Sequence, residues 1–436
     1  MRIVRLMESR RQRATDRRGP VSLLVGLVLL LSTTAGVAHA QSAGLVCELN
    51  QTVRECAASG SPRSQLRLGT LVPGSEASVE ALAQAMALEV GTAPSGSSSG
   101  GFTFTFDPSI GTFSRRAVTF GPAFSERALT IGKGKLTGGF NVLYRSYDKM
   151  DDLDINRFDV FRFQSGTVTV SSYGFDLQAR TTTLAAFADY GVLNNLDVGV
   201  LVPYVRTSIT GASRLYGASQ EELQRVLIDA STSGLGDIAI FAKYRFWSVK
   251  RESAASGEVQ GGLAADLTVR VPSGNADDLV GLGVTRTLVA LIGSTTAGRL
   301  SPHVNVGYEI WSAGIDIPRD FQGSSVTAKD QLQYSGGFEY DMAPKLSLMV
   351  DVVGRYQRGA GGVGYQQFAF PANIAHVDSA VALVAVPSGV NTMLLAPGAK
   401  WNIFRSALLT MNVLVPLTRT GLRARATPVV GIEWGF

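Results

Sequence analysis

Histidine and cysteine are nearly missing from this 436-residue chain, which holds three of the first and two of the second. A Ser-His or Cys-His catalytic arrangement, or a histidine-ligated metal, therefore has little to draw on. His39 falls in a leader described below, which leaves His303 beside Pro302 and His376 in a long loop near Asp378 and Ser379. No GxSxG, HExxH or dense carboxylate cluster appears, and the acidic trio Asp151, Asp152 and Asp154 lacks the spacing and closing Glu of an EF-hand. The trio reads as a solvated loop, and the chain as a non-enzyme without a cofactor. Long apolar runs are lacking too. Only Val21 to Leu31 is continuous, and it falls short of the roughly 20 residues of a spanning helix.

That run has another meaning. Arg2, Arg5, Arg10, Arg11, Arg13, Arg17 and Arg18 precede it and Ala38-His39-Ala40 follows it, the layout of a secretory signal peptide over residues 1–40 with cleavage before Gln41. Those seven arginines, against Glu8 and Asp16, account for the whole formal charge of +5. The exported chain is close to neutral, and no basic cluster suggests nucleic acid. Cys47 and Cys56 follow the cleavage site and can close a small disulfide loop in an oxidising compartment. A lipid-modified Cys47 is disfavoured by the residues Gly44-Leu45-Val46 before it, and a two-Cys metal site by the missing His.

What is present is alternation. From residue 135 to 436 the chain reads as about twelve strands of an antiparallel transmembrane β-barrel, an all-β fold exported to the outer membrane. In 196–206, Leu196, Val198, Val200, Val202 and Tyr204 share one face against Asp197 and Gly199; in 235–247, Ile238, Ile240, Ala242, Tyr244 and Phe246 oppose Asp237, Lys243 and Arg245. The same pattern recurs at 258–271, 301–313, 331–340 and 346–356, weakens at 135–147, 174–190, 392–404 and 406–417, and nearly vanishes at 283–296. The last ten residues, Thr427 to Phe436, alternate well, and the terminal Phe436 resembles the signal by which barrel assembly machinery recognises outer-membrane strands.

Connection lengths give an independent sign. Long links (148–173, 207–234, 314–329, 358–391) alternate at nearly every step with short ones (191–195, 297–300, 341–344, near 405), as expected of long outer loops and short periplasmic turns, while 248–257, 272–282 and 418–424 are of intermediate length. Trp247, Tyr340, Trp401, Trp434 and Phe436 fall at periplasmic strand ends, and Tyr147, Tyr204, Trp311 and Tyr356 at outer ends, where two interfacial girdles would contact lipid. The expected lumen-facing charges are Arg145, Arg180, Asp237, Lys243, Arg245, Asp266, Arg270, Glu309, Glu339, Asp351, Arg355, Lys400 and Glu433. Mixed signs in a confined space should pair across strands, and a polar pathway or binding site can use some of them.

Residues 41–134 differ. An amphipathic helix is expected over 75–91 through Val79, Leu82, Ala83, Met86 and Val90, then a small-residue stretch from Ser95 to Gly101, then an aromatic-rich run with Phe102, Phe104, Phe106, Phe113, Phe120 and Phe124. This segment is either a periplasmic subdomain or a plug, since a twelve-stranded barrel lies between small filled barrels and wide aqueous ones.

Several turns and strands together carry a family resemblance. Ser98-Ser99-Gly100-Gly101-Phe102 to Asp107-Pro108, Phe120-Gly121-Pro122, Glu126-Arg127-Ala128 with Gly132-Lys133-Gly134-Lys135, Leu196-Asp197-Val198-Gly199, Gly234-Leu235-Gly236-Asp237, Lys243-Tyr244-Arg245-Phe246 and Arg270-Val271-Pro272-Ser273-Gly274 make residues 95–436 resemble the phenol meta-cleavage pathway transporter family of outer-membrane proteins. The resemblance implies passive uptake of small solutes, aromatic or hydrophobic ones among them, and transfers no set of substrate residues. A lipid-active outer-membrane enzyme and a closed structural barrel are the alternatives.

Overall fold

The computed structural model describes residues 62–63, 76–94, 96, 104–107, 112–115, 119–250, 259–319, 324–359, 362–374, 377–387, 389–404 and 407–435. Cys47, Cys56, His376 and Phe436 lie outside the described residues.

Twelve antiparallel strands close into one barrel. In chain order they are β1 (Leu136–Met150), β2 (Val168–Leu193), β3 (Leu196–Tyr216), β4 in two pieces (Glu222–Leu235 and Ala239–Lys250), β5 (Val259–Arg270) and β6 (Arg286–Ser294). There follow β7 (Leu300–Trp311), β8 (Gln331–Ala343), β9 (Leu346–Gln357), β10 (Val390–Phe404), β11 (Ala407–Pro416) and β12 (Thr427–Gly435). Each pairs with its neighbour in sequence, and β12 closes on β1 through Gly435↔Thr137 to Val429↔Leu143. Asn194-Asn195 makes a tight β2–β3 turn, and Pro344-Lys345 links β8 to β9.

Alternation sorts the wall. Phe140, Val142, Tyr190, Ile240, Leu267, Val289, Leu291, Val304, Val306 and Leu348 are exposed on the outer face, while Asn141, Asp189, Lys243, Glu309 and Asp351 are buried within. Apolar outside and polar inside is the pattern required of a sheet surrounded by hydrocarbon. Trp247, Tyr340 and Trp401 are exposed at the short-turn ends of their strands, and the half-buried Trp434 packs on Phe140 with ring centroids 5.8 Å apart. At the outer ends the expected girdle is only half present. Tyr204 and Tyr356 face outward, whereas Tyr147 and Trp311 are buried inside. Tyr147 has odd parity on a strand whose even residues face out, and the Trp311 Nε1–H is drawn to Glu309.

The barrel is lopsided. About 9 to 11 residues cross a membrane, yet β2 has 26 residues and β3 has 21, against nine for β6. The expected long loop 207–234 is therefore mostly strand, reduced to a link at 217–221. Beyond the hydrocarbon the outward face turns polar, and the apolar signal by which strands are recognised disappears.

Inside the outer mouth lies α1 (Glu76–Thr92), buried on more than one face. Val79, Leu82, Ala83 and Met86 pack with Tyr147, Met150, Ile155 and Phe158; Ala81 and Leu88 pack on the other side with Leu282, Trp311 and Ile317. A helix surrounded in this way needs apolar residues around most of its circumference rather than one stripe. Outer hairpins roof it: 158–165 pairs with β2, and its Phe161 to Gln164 pair with Ala382 to Ser379 of the hairpin Val363–Ile374 and Val377–Ala385. Asp151 joins two loops by accepting the Val363 and Gly421 N–H groups, each at 2.8 Å. Phe104–Asp107 and Thr112–Arg115 form a separate hairpin.

Candidate functional site: the charged lumen

Residues 119–134 cross the interior below α1 as a strap that belongs to no sheet, so its backbone polar groups need partners from the wall. Glu339 Oε2 accepts the Gly121 N–H at 3.1 Å, and Asp351 Oδ2 accepts those of Ala123 and Phe124, both at 3.1 Å. Ser294 Oγ takes the Ala128 N–H at 3.0 Å, and Asp197 Oδ2 that of Ile131 at 3.1 Å. The inward carboxylates of β3, β8 and β9 thus hold an irregular chain in the lumen.

Between α1 and the strap remains a cavity of about 250 Å³. Val90 to Pro94 line it from above and Phe124 and Glu126 from below; the wall contributes charges together with Leu288, Tyr334, Val353 and Leu394. One cluster gathers where β4 breaks at 236–238. Asp237 accepts the Gly274 and Leu282 N–H groups and pairs with Arg286, all at 3.2 Å, which folds the β5–β6 loop inward. Arg286 reaches Glu309 at 3.6 Å and Arg270 reaches it at 3.8 Å, while Trp311, Gln331 and Gln333 donate to the same carboxylate at 2.9, 3.0 and 2.7 Å.

A second cluster surrounds the buried Lys243, 3.5 Å from Glu126 and within the field of Asp189, Asp197 and Asp266. The third ties down α1: Glu89 pairs with Arg355 at 2.6 Å, and Arg145 donates to the Pro94 carbonyl at 2.5 Å. Burial pushes the Glu89 carboxyl above the ordinary glutamate range, with Arg355 pulling the other way. Elsewhere Lys400 pairs with Glu433 at 2.7 Å, and His303 lies with both ring nitrogens toward acids, Nε2 2.8 Å from Asp351 and Nδ1 3.6 Å from Glu339.

The expected charges fall into distinct settings. Arg145, Asp237, Lys243, Glu309, Glu339, Asp351, Arg355, Lys400 and Glu433 are buried inside the wall. Asp266 and Arg270 line the cavity partly exposed, and Arg245 sits at the periplasmic rim, donating to the Asn194 carbonyl at 2.9 Å. Arg180 is a correction: it is exposed on the outer face between the buried Ala179 and Thr181, bonded to Gln178 at 3.0 Å. Above the hydrocarbon a charge is tolerated on either face, so parity decides, and β2 places even residues outward. His303, beside Pro302 near the start of β7, has its side chain fully buried. Sequence reasoning also missed Arg286, on the strand with almost no alternation, and Glu89, on a helix read as one-faced. Among the described residues no group of three or more His, Cys, Asp and Glu is placed to hold a metal ion.

Comparison with curated proteins returns no match. Among solved structures, an outer membrane channel from Pseudomonas putida F1 aligns at 15% identity over 71% of this chain and 97% of its own, with a TM-score of 0.42. A FadL homologue from Pseudomonas aeruginosa aligns at 10% identity over 69% and 89%, TM-score 0.27, and the NanC porin at 8% over 69% and 98%, TM-score 0.34. A family model described as a putative MetA-pathway of phenol degradation matches residues 158–377. That match covers half of the chain, from the first outer hairpin to the loop after β9, and the chain belongs to this family.

Proposed function

We propose that this chain is an outer-membrane channel for passive uptake of small molecules, single-ring phenolic compounds among them, narrowed by its own N-terminal segment. The observation that carries this reading is the cavity between α1 and the strap. Its volume of about 250 Å³ exceeds the roughly 150 Å³ that accommodates benzene in an apolar cavity. Its lining joins an apolar side (Leu288, Val353, Leu394) to charged groups, as suits a ring with a polar substituent. Arg145 lines it with the Pro94 carbonyl as its hydrogen-bond partner and, among the described residues, no carboxylate within ion-pair distance, so it can meet an acidic substituent.

Closure by hydrogen-bonded pieces outside the sheet supports passage by displacement of those pieces, since the wall need not open. The same reading includes export by the 1–40 signal, assembly through Phe436, a Cys47–Cys56 disulfide and a belt in contact with outer-membrane lipid. It needs no cofactor and no chemical step.

Liposome swelling with purified barrel tests it, using sugars, amino acids and phenolic acids matched in size. Phenolic acids should enter fastest, and Arg145→Gln should slow them while sparing neutral sugars. Equal rates for all solutes would refute the aromatic preference; no swelling with any would refute the channel.

A further inference from the structure

The tall side of the barrel presents a second surface, on the outside. At its base the outward row runs from Val142 through Leu184 and Tyr204 to Leu235, with Val142, Tyr204 and Leu235 exposed, the upper limit of the apolar belt. Directly above, the composition changes. Arg206 stands in register with Thr182 on one side and Ser233 on the other; one step higher Arg180 stands between Ser146 and Ser208, with Ser231 beyond. Arg206 lies two residues past Tyr204, about 6.6 Å along a strand. The polar layer on each side of the hydrocarbon is roughly 5–7 Å thick. The Arg206 row therefore stands at headgroup depth and the Arg180 row one step beyond it, and β2 and β3 carry the same face further outward.

Neither arginine has a carboxylate partner among the described residues. Arg180 bonds only to Gln178 at 3.0 Å. Of the acids on this face, Asp148 is held by Arg425 at 3.0 Å, Asp176 is paired with Arg214, and Asp229 is opposite Thr210, beyond both arginines. Two guanidinium groups without a carboxylate partner among the described residues, set among hydroxyls, match phosphate next to sugar, because guanidinium favours phosphate oxygens and Ser and Thr can both donate and accept. We propose that this outward face of β2 to β4, with Arg180 and Arg206 as anchors and Thr182, Ser208, Ser231 and Ser233 around them, binds the phosphorylated saccharide headgroup of an outer-leaflet glycolipid. The proposal rests on the outer-membrane reading above and is independent of which solute passes.

The test uses the full barrel purified from outer membranes and native mass spectrometry with added lipid A, alongside lipid A stripped of its phosphates. Arg180→Gln with Arg206→Gln should weaken lipid A retention by roughly tenfold or more, near fivefold for each interfacial arginine. Removing the phosphates should have a similar effect on the wild type. Arg225→Gln, an equally exposed change near the tip of β4, should leave retention unchanged. Heat-modifiable migration should persist in every variant, since all three side chains are exposed. Undiminished retention in the double variant, or an equal loss in Arg225→Gln, overturns the proposal and leaves the channel reading intact. Fractionation that places the chain outside the outer membrane overturns both.

Discussion

His303 on β7 and Asp351 on β9 meet across an intervening strand, Nε2 to Oδ1 at 2.8 Å. The residue of β8 in register with both is Gly337, and its missing side chain leaves the space through which they touch. A Cβ there would lie 2.6 Å from Asp351 Oδ1 and closer still to the Val350 carbonyl. The bond orients Asp351 so that its other oxygen holds the strap at Ala123 and Phe124.

Asp351→Ala should therefore loosen the strap without opening the sheet. It leaves two buried N–H groups unpaired, at about 1–3 kcal/mol each. Single-channel conductance should rise and proteolysis near 119–128 should accelerate, with heat-modifiable migration retained. Gly337→Ala should move both readouts in the same direction by displacing the carboxylate. Unchanged conductance in both variants would mean that the strap is held elsewhere.

Asp237→Ala attacks the other anchor. It removes the acceptor for Gly274 and Leu282 and one partner of the buried Arg286. Breaking a buried pair from one side costs about 3–5 kcal/mol. The inward loop should swing out, giving larger conductance and a lower melting temperature. Asp237→Asn retains an acceptor and should lie between the two.

The wall was legible in the sequence because hydrocarbon imposes a strict period: small or polar residues such as Asp197, Lys243 and Asp351 alternate with Val198, Tyr244 and Val352. Where that constraint ends, legibility ends with it. Arg180 was placed on the wrong face because above the belt charge no longer marks the inside, and 207–234 read as a loop because its strands are polar outside. Trp311 and Tyr147 looked like girdle residues, since an aromatic at a strand end does not reveal its parity by type. The contacts of His303 depend on Gly337 one strand away and Asp351 two strands away, and those of Glu89 on Arg355, 266 residues distant; no local pattern encodes either.

The docking of α1 should depend on pH in a definite direction. Burial raises the Glu89 carboxyl above its ordinary range in the docked state, so the docked helix binds that proton more tightly than a released one. Lowering pH from neutral toward the ordinary glutamate range should favour docking, and raising it through the elevated value should weaken it. Open events in planar bilayers should become rarer as pH falls from neutral toward the ordinary glutamate range. Glu89→Gln, which keeps an acceptor for Arg355 and has no proton to exchange, should flatten that dependence. A slope of opposite sign would assign the control of opening to other groups.

Removing residues 41–101 separates the two closures. The deletion takes away α1 with its Glu89–Arg355 pair and the packing made through its Leu82, Met86 and Leu88, while the wall and the 119–134 strap retain their own bonds. Conductance should rise and solute selectivity fall, yet only part of the way, because the strap still crosses the lower half of the lumen. Adding Asp351→Ala to the deletion should raise conductance further, and the two changes should be close to additive, since α1 and the strap use different wall residues. If the deletion alone already gives the full effect, the strap follows the helix out of the lumen. If conductance does not change in a correctly inserted deletion, the strap and the wall charges set passage by themselves.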